Sequence, residues 1–234
     1  HLGHQKIISD MKEIALKKDL KTLVIFTEPH AKEFFAEKSE FIEEPKRISP
    51  WRDKFERLKT QDVDFAFYLK FNTKLQAMTP EHFIEAVLNN LNIKQLTIGD
   101  DFKFGYQRKG DYEMLFDWGK ANQIIVEKTP TFSKDNRRCS SSWIREALSK
   151  DDFNLAAELL GRSYTYSGKV VNGNSLGRTI GVPTANLWLP KSNLPIKGVY
   201  AVKVKIETES YQGIANMGVC LLYTSDAADE HSWG

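Results

Sequence analysis

The chain has 234 residues, 41% hydrophobic and 27% charged, with 33 basic against 31 acidic side chains and a formal net charge of +2. That length allows one large or two ordinary domains with ample core, and the near-balance of charge excludes a global field that would recruit nucleic acid or an anionic membrane. Two cysteines, Cys139 and Cys220, make neither a disulfide framework nor a CxxC zinc site; a reducing cytoplasm is the expected compartment, with no secretory signal and no apolar run of about 18 residues.

The chain opens on His1-Leu2-Gly3-His4, two imidazoles bracketing a glycine, ahead of an amphipathic stretch from Gln5 to about Lys18 with Ile7, Ile8, Met11, Ile14 and Ala15 on one face. Residues three apart share a helix face, and helix N-terminal amides favour an anion, so phosphate is the expected occupant beside His1 and His4. Thr22 to Thr27 (TLVIFT) suits a buried parallel strand. The basic stretch Arg47 to Lys59 reads as the solvated face of a helix over 51–59 that carries Trp51, Phe55 and Leu58. Further strands are expected at 63–71, 94–99 and 124–127. Helices are expected at 80–91, with Thr79 as N-cap and Pro80 in the first turn, and at 112–121. Strands alternating with helices predict a parallel α/β sheet with ligands at the strand carboxyl ends.

Gly99 to Gly105 (GDDFKFG) follows the third of these strands, and its two carboxylates either orient a ribose or adenine or cap a turn. Gly105 to Asp111 (GYQRKGD) lacks the final lysine and hydroxyl of a P-loop and is not one. Arg137 to Arg145 (RRCSSSWIR) gathers three hydroxyls and three guanidiniums at a helix start, either a phosphate-binding set or a serine cap with solvated arginines. Residues 141–160 read as two short helices. From Tyr164 onward the chain is glycine-punctuated and β-rich, which predicts a small barrel or sandwich beyond a boundary at 161–163. Within it GKVVNGNSLGRTIGVPTAN places Gly173, Gly177 and Gly181 four apart, the spacing of a turn or of a backbone that approaches a ligand. Thr184 and Asn186 share one face of an extended segment there, as hard oxygen donors suited to a phosphate-bound Mg²⁺.

In order, HLGH, TEPH (27–30), GDDFKFG, KGD, CSSSWIR, GKVVNGNSLGRTIGVPTAN, KGVYAV and ANMG resemble the bacterial bifunctional riboflavin kinase/FMN adenylyltransferases, also called FAD synthetases, across residues 1–219. The resemblance implies an α/β nucleotidyltransferase-type Rossmann-like domain over 1–161, then an incomplete riboflavin kinase-like β-barrel over 162–219. It implies transfer of AMP from ATP to FMN, phosphorylation of riboflavin, Mg²⁺ as cofactor, ATP, FMN and riboflavin as substrates, and no nucleic-acid or membrane partner. On matching positions it gives phosphate handling to His1 and His4, a polar site position to Asp101, and the Arg-x-Ser-Ser-Thr-x-x-Arg pattern to Arg138, Ser141, Ser142 and Arg145, with Ser142 in place of threonine. Trp143 stands where a small residue is common. Gly3 and Gly99 join the nucleotide site, Gly173, Gly177 and Gly181 the kinase phosphate loop, and Thr184 and Asn186 the Mg²⁺ and nucleotide phosphate.

Family members carry a central strand and Gly-x-Phe-Asp-Gly before HxGH and a catalytic glutamate on a later strand. The chain is therefore expected to be truncated at both ends and inactive or marginal in turnover. Residues 220–234 (CLLYTSDAADEHSWG) resemble a translated adapter and are expected to be a non-native tail, with no function given to Cys220 or His231. Two readings compete: a pantetheine-phosphate or cytidylyl transferase, which shares HxGH but leaves PTAN unexplained, and a flavin- or nucleotide-binding fragment without turnover.

Overall fold

The computed structural model describes residues 1–171, 184–188 and 193–218. In chain order the first part comprises α1 (Leu2–Lys18), β1 (Leu23–Glu28), α2 (Ala31–Ala36), α3 (Trp51–Thr60), β2 (Phe65–Lys70), α4 (Thr73–Ala77) and α5 (Pro80–Phe83), which runs on as a π-turn over Ile84–Leu88. Then follow β3 (Gln95–Gly99), a 3₁₀ turn at Tyr106–Arg108, α6 (Tyr112–Ala121), β4 (Ile125–Thr129), the short strands β5 (Ser133–Lys134) and β6 (Arg137–Arg138), α7 (Ser141–Ser149) and α8 (Phe153–Leu160).

The expected helix at 80–91 is shorter and wider than an α-helix. Thr79 accepts from the His82 amide and Pro80 sits in the first turn, as its sequence predicts, but the π-turn then brings Ile84, Val87 and Leu88 all into the core. They pack with Ile98, Phe104, Leu115 and Val126, while Ile25 and Leu69 close the cluster from β1 and β2.

The parallel sheet divides into two pairs, β1 with β2 and β3 with β4, and no ladder joins them among the described residues. Thr22 pins the first pair, its amide and hydroxyl donating to Asp64 at 2.9 and 2.7 Å. Buried Thr129 pins the second by donating to the Ile98 carbonyl at 2.8 Å. All six residues of β1 remain only half-buried, whereas a strand inside a parallel sheet is covered on both faces.

A second core belongs to α7 and α8, with Ile144, Leu148, Ala156 and Leu159 fully buried. Trp143 joins it, so the large residue in a usually small position is a core side chain, with the Arg137 guanidinium 4.7 Å from its ring centroid. Leu194 and Ile196 from beyond residue 161 complete this core. The β-rich region contains two antiparallel pairs, β7 (Lys169–Val171) with β8 (Asn186–Trp188) and β9 (Gly198–Ile206) with β10 (Glu209–Met217). No closed barrel forms among the described residues. Gly173, Gly177, Gly181 and residues 220–234 lie outside them.

Candidate active site

The site forms around the first turn of α1. The helix starts at Leu2, earlier than the apolar pattern suggests, so His1 is its N-cap and accepts from the His4 amide at 3.3 Å. The two imidazoles stack at 3.9 Å between centroids, which puts both on one face as their spacing predicts. Gln5 fastens this end of the helix by donating to the Leu160 carbonyl at 2.8 Å. Gly3 permits the approach of the next element: a Cβ there would stand 3.1 Å from His1 Nδ1 and 3.3 Å from the Cys139 carbonyl oxygen. Desolvation by the surrounding protein, then the charges of the chain's amino group, Lys54 and Arg138, push His4 down to about 4. Its imidazole is therefore neutral at pH 7, with a ring N–H to donate and no charge of its own.

Two further segments converge on that turn. After β3, Gly99 leads into a turn in which the Phe102 amide donates to the Gly99 carbonyl at 3.2 Å. Asp100 and Asp101 do more than cap it: each places a carboxylate oxygen 3.1 Å from a different terminal nitrogen of Arg138. Thr131 donates to Asp100. The pair thus presents the planar fork of Arg138 from an exposed strand end, a geometry matched to an oxyanion.

The serine cluster divides its roles. Ser140 is the N-cap of α7 and accepts from the Trp143 amide at 3.3 Å. Ser141 and Ser142 lie in the first helical turn, with no hydrogen-bond partner for either hydroxyl among the described residues. Of the three arginines, Arg138 belongs to the histidine site, Arg137 pairs with Glu146, and Arg145 Nε donates to the Lys46 carbonyl at 2.6 Å. Thr184 and Asn186 are exposed on the β7–β8 side, with Asn186 opposite Val171.

The TEPH segment supplies a flank that sequence reasoning left without roles. Glu28 ends β1, and His30 caps α2 by accepting from the Lys32 amide at 3.2 Å while Glu33 accepts from the His30 amide at 3.0 Å. Arg47 is nearly buried and donates to both Glu28 and Glu33. Lys54 approaches Glu28 from α3 at 3.5 Å. The expectation that Arg47 to Lys59 is a solvated face thus fails at Arg47, because the loop leading into α3 lies against Glu28 and Glu33. Cys139 is buried, its thiol directed at the Leu159 carbonyl.

The paired histidines and the carboxylate-held arginine thus lie beside the β3 strand end of an α/β unit, with the free hydroxyls of Ser141 and Ser142 in the first turn of the helix that follows Arg138. Comparison with known proteins is more specific. The FAD synthetase family matches residues 1–143 and the riboflavin kinase family residues 160–230. The chain is 43% identical over 220 residues to the bifunctional riboflavin kinase/FMN adenylyltransferase of Haemophilus influenzae, covering 93% of this chain and 70% of that protein. It is 40% identical to the protein of the same name from Buchnera aphidicola of Acyrthosiphon pisum (94% and 69% covered) and 37% identical to that of Escherichia coli K12 (93% and 69%). A solved structure described as a macrolide-efflux protein from Streptococcus pneumoniae matches with a TM-score of 0.72 at 29% identity, over 93% of this chain and 70% of that one. No helix among the described residues is long and apolar enough to cross a membrane. The chain belongs to the bifunctional riboflavin kinase/FMN adenylyltransferase family.

Proposed function

We propose that the chain builds FAD by transferring AMP from ATP to FMN with release of pyrophosphate, and that its β-rich part serves the ATP-dependent phosphorylation of riboflavin to FMN. The observation that carries this reading is the Arg138 fork, held by Asp100 and Asp101 in the site of the stacked His1 and His4. A phosphate oxygen of FMN attacks the α-phosphorus of ATP in line, the bond to the β-phosphate oxygen breaks, and pyrophosphate leaves with that electron pair. Such a reaction asks the protein chiefly for positioning and for charge stabilisation on the transferring group. Neutral His4 donates to phosphate oxygen, Arg138 takes the charge that develops on the leaving group, and the first-turn amides and hydroxyls of Ser141 and Ser142 receive a second phosphate. Arg145, tied to the Lys46 carbonyl, holds the flank of the site, while Gly3 and Gly99 allow close approach of backbone to nucleotide.

Thr184 and Asn186 offer exposed oxygen donors of the hard type Mg²⁺ prefers, with no protein partner among the described residues. They would hold a nucleotide-bound Mg²⁺ in the kinase part, where the ion neutralises phosphate charge. The division at residue 161 and a cytoplasmic setting belong to the same proposal. Chromatographic detection of FAD and pyrophosphate from FMN and Mg·ATP tests it. Phosphopantetheine as the preferred AMP acceptor, or nucleotide binding without any FAD, would overturn it.

A further inference from the structure

Arg138 stands on a very small support. Strands β5 and β6 have two residues each, joined by the pairs Ser133 with Arg138 and Lys134 with Arg137, and Asp135 and Asn136 turn between them at φ of 49° and 59°. A ladder that short does not stand alone in water. Asp100 and Asp101 orient the Arg138 fork but do not fix its strand, because carboxylates 40% and 73% exposed make pairs worth little. Cys139 fastens the base of the hairpin, its amide donating to the Phe132 carbonyl at 2.9 Å. The rest of the support comes from side chains that reach α7 and α8.

Lys134 pairs with Glu158 on α8, and Arg137 pairs with Glu146 on α7. The Arg137 guanidinium also lies 4.7 Å from the centroid of the Trp143 ring, within the range at which an indole face attracts a guanidinium. Trp143 is itself firmly held: it is buried in the core with Ile144, Leu148 and Leu159, and its amide donates to Ser140 Oγ at 3.3 Å. Successive side chains of a strand point to opposite sides. β6 therefore turns Arg137 towards α7 and Arg138 towards the β3 turn, so a ring fixed in the core sets where the second guanidinium stands. Arg137 is half-exposed, and an exposed ion pair contributes little to folding. What the contact supplies is placement.

We infer that Arg137, stacked on Trp143, is a positioning residue for adenylyl transfer that acts through Arg138. The inference rests on the FMN reading above. The test is steady-state FAD formation by the full chain, with FMN and Mg·ATP varied separately, for wild type, Arg137→Ala, Arg138→Met and the variant carrying both changes. Arg137→Ala is expected to lower kcat about tenfold with KM for FMN within about twofold of wild type, because a displaced charge-stabilising group costs turnover rather than binding. Its Tm should stay within about 2 °C of wild type. In the Arg138→Met background the same change should cost nothing further, since the group it positions is gone. Trp143→Phe should keep kcat within about threefold of wild type, while Trp143→Leu should lose as much as Arg137→Ala. Both leave space in the core, so the ring alone separates them. An unchanged kcat in Arg137→Ala, a further loss in the Arg138→Met background, or equal turnover in the two Trp143 variants would overturn the assignment while leaving the FMN reading intact. Wild-type chain that makes no FAD overturns the FMN reading itself, and the assignment with it.

Discussion

Replacing Arg47 with methionine probes the most buried ion-pair cluster among the described residues. The guanidinium is 14% exposed, Glu33 is 5% and Glu28 17%, and both carboxylates converge on one guanidinium nitrogen. Truncation leaves Glu33 with only the His30 amide donating to it, and removing one partner of a buried ion pair costs about 3 kcal/mol. Backbone ties survive the change, because the Arg47 amide donates to the Asn193 carbonyl at 2.9 Å and Asn193 Nδ2 to the Glu44 carbonyl at 2.8 Å. For a chain of this length, 3 kcal/mol lowers Tm by about 6 to 12 °C. Thermal unfolding followed by circular dichroism measures it. A double variant, Arg47→Met with Glu33→Gln, should recover part of the loss, as the stranded charge is then gone. A Tm within 1 °C of wild type for Arg47→Met, or a double variant worse than the sum of its singles, would refute the argument.

Gly105→Ala should destabilise by about 1 to 3 kcal/mol, since Gly105 has φ of +72° and a Cβ there would stand 2.6 Å from the Pro80 nitrogen; urea unfolding reads this directly. Arg138→Met should reduce FAD formation about a hundredfold, as loss of one oxyanion donor does. Its effect on Tm should be under 2 °C, because its carboxylate pairs are exposed and worth little. His4 predicts a pH dependence. Its folded pKa of about 4 lies below the ordinary 6.5, so the unfolded chain takes up the proton first and wild type loses stability as pH falls from 6.5 towards 4, but not above 6.5. Melting curves should therefore show the gap between His4→Asn and wild type shifting in favour of the variant across that window, moderated by the exposed edge of the ring, and NMR titration should place the His4 midpoint well below 6.5.

Local chemistry was the legible part of this chain. The three-residue spacing of His1 and His4 puts them on one helix face, Thr79 and Pro80 start their helix, and Gly99 leads into a turn, all from interactions within a few residues. The helix expected from residue 141 begins there, with Ser140 as its serine cap. Trp143 was opaque because its role depends on the second core, to which Leu194 and Ile196 contribute from far along the chain. Arg47 was misread for the same reason: a basic stretch looks solvated until tertiary packing lays its leading loop against Glu28 and Glu33. The Asn193 tie to Glu44 spans 149 positions, and no local pattern announces it. The division of the sheet into two pairs likewise reflects pairing between distant segments, which alternation of apolar residues does not specify.

On the proposed reading, His1, His4 and Arg138 form the site that joins AMP to FMN. Its most direct test is single-enzyme conversion of FMN and Mg·ATP to FAD, with pyrophosphate quantified in parallel, for wild type and a His1→Asn, His4→Asn double variant. Wild type should give FAD and pyrophosphate in equal amounts, and the double variant a loss of at least a hundredfold (about 3 kcal/mol). FAD formation that survives in the double variant, or its absence from wild type at every FMN concentration, would contradict it.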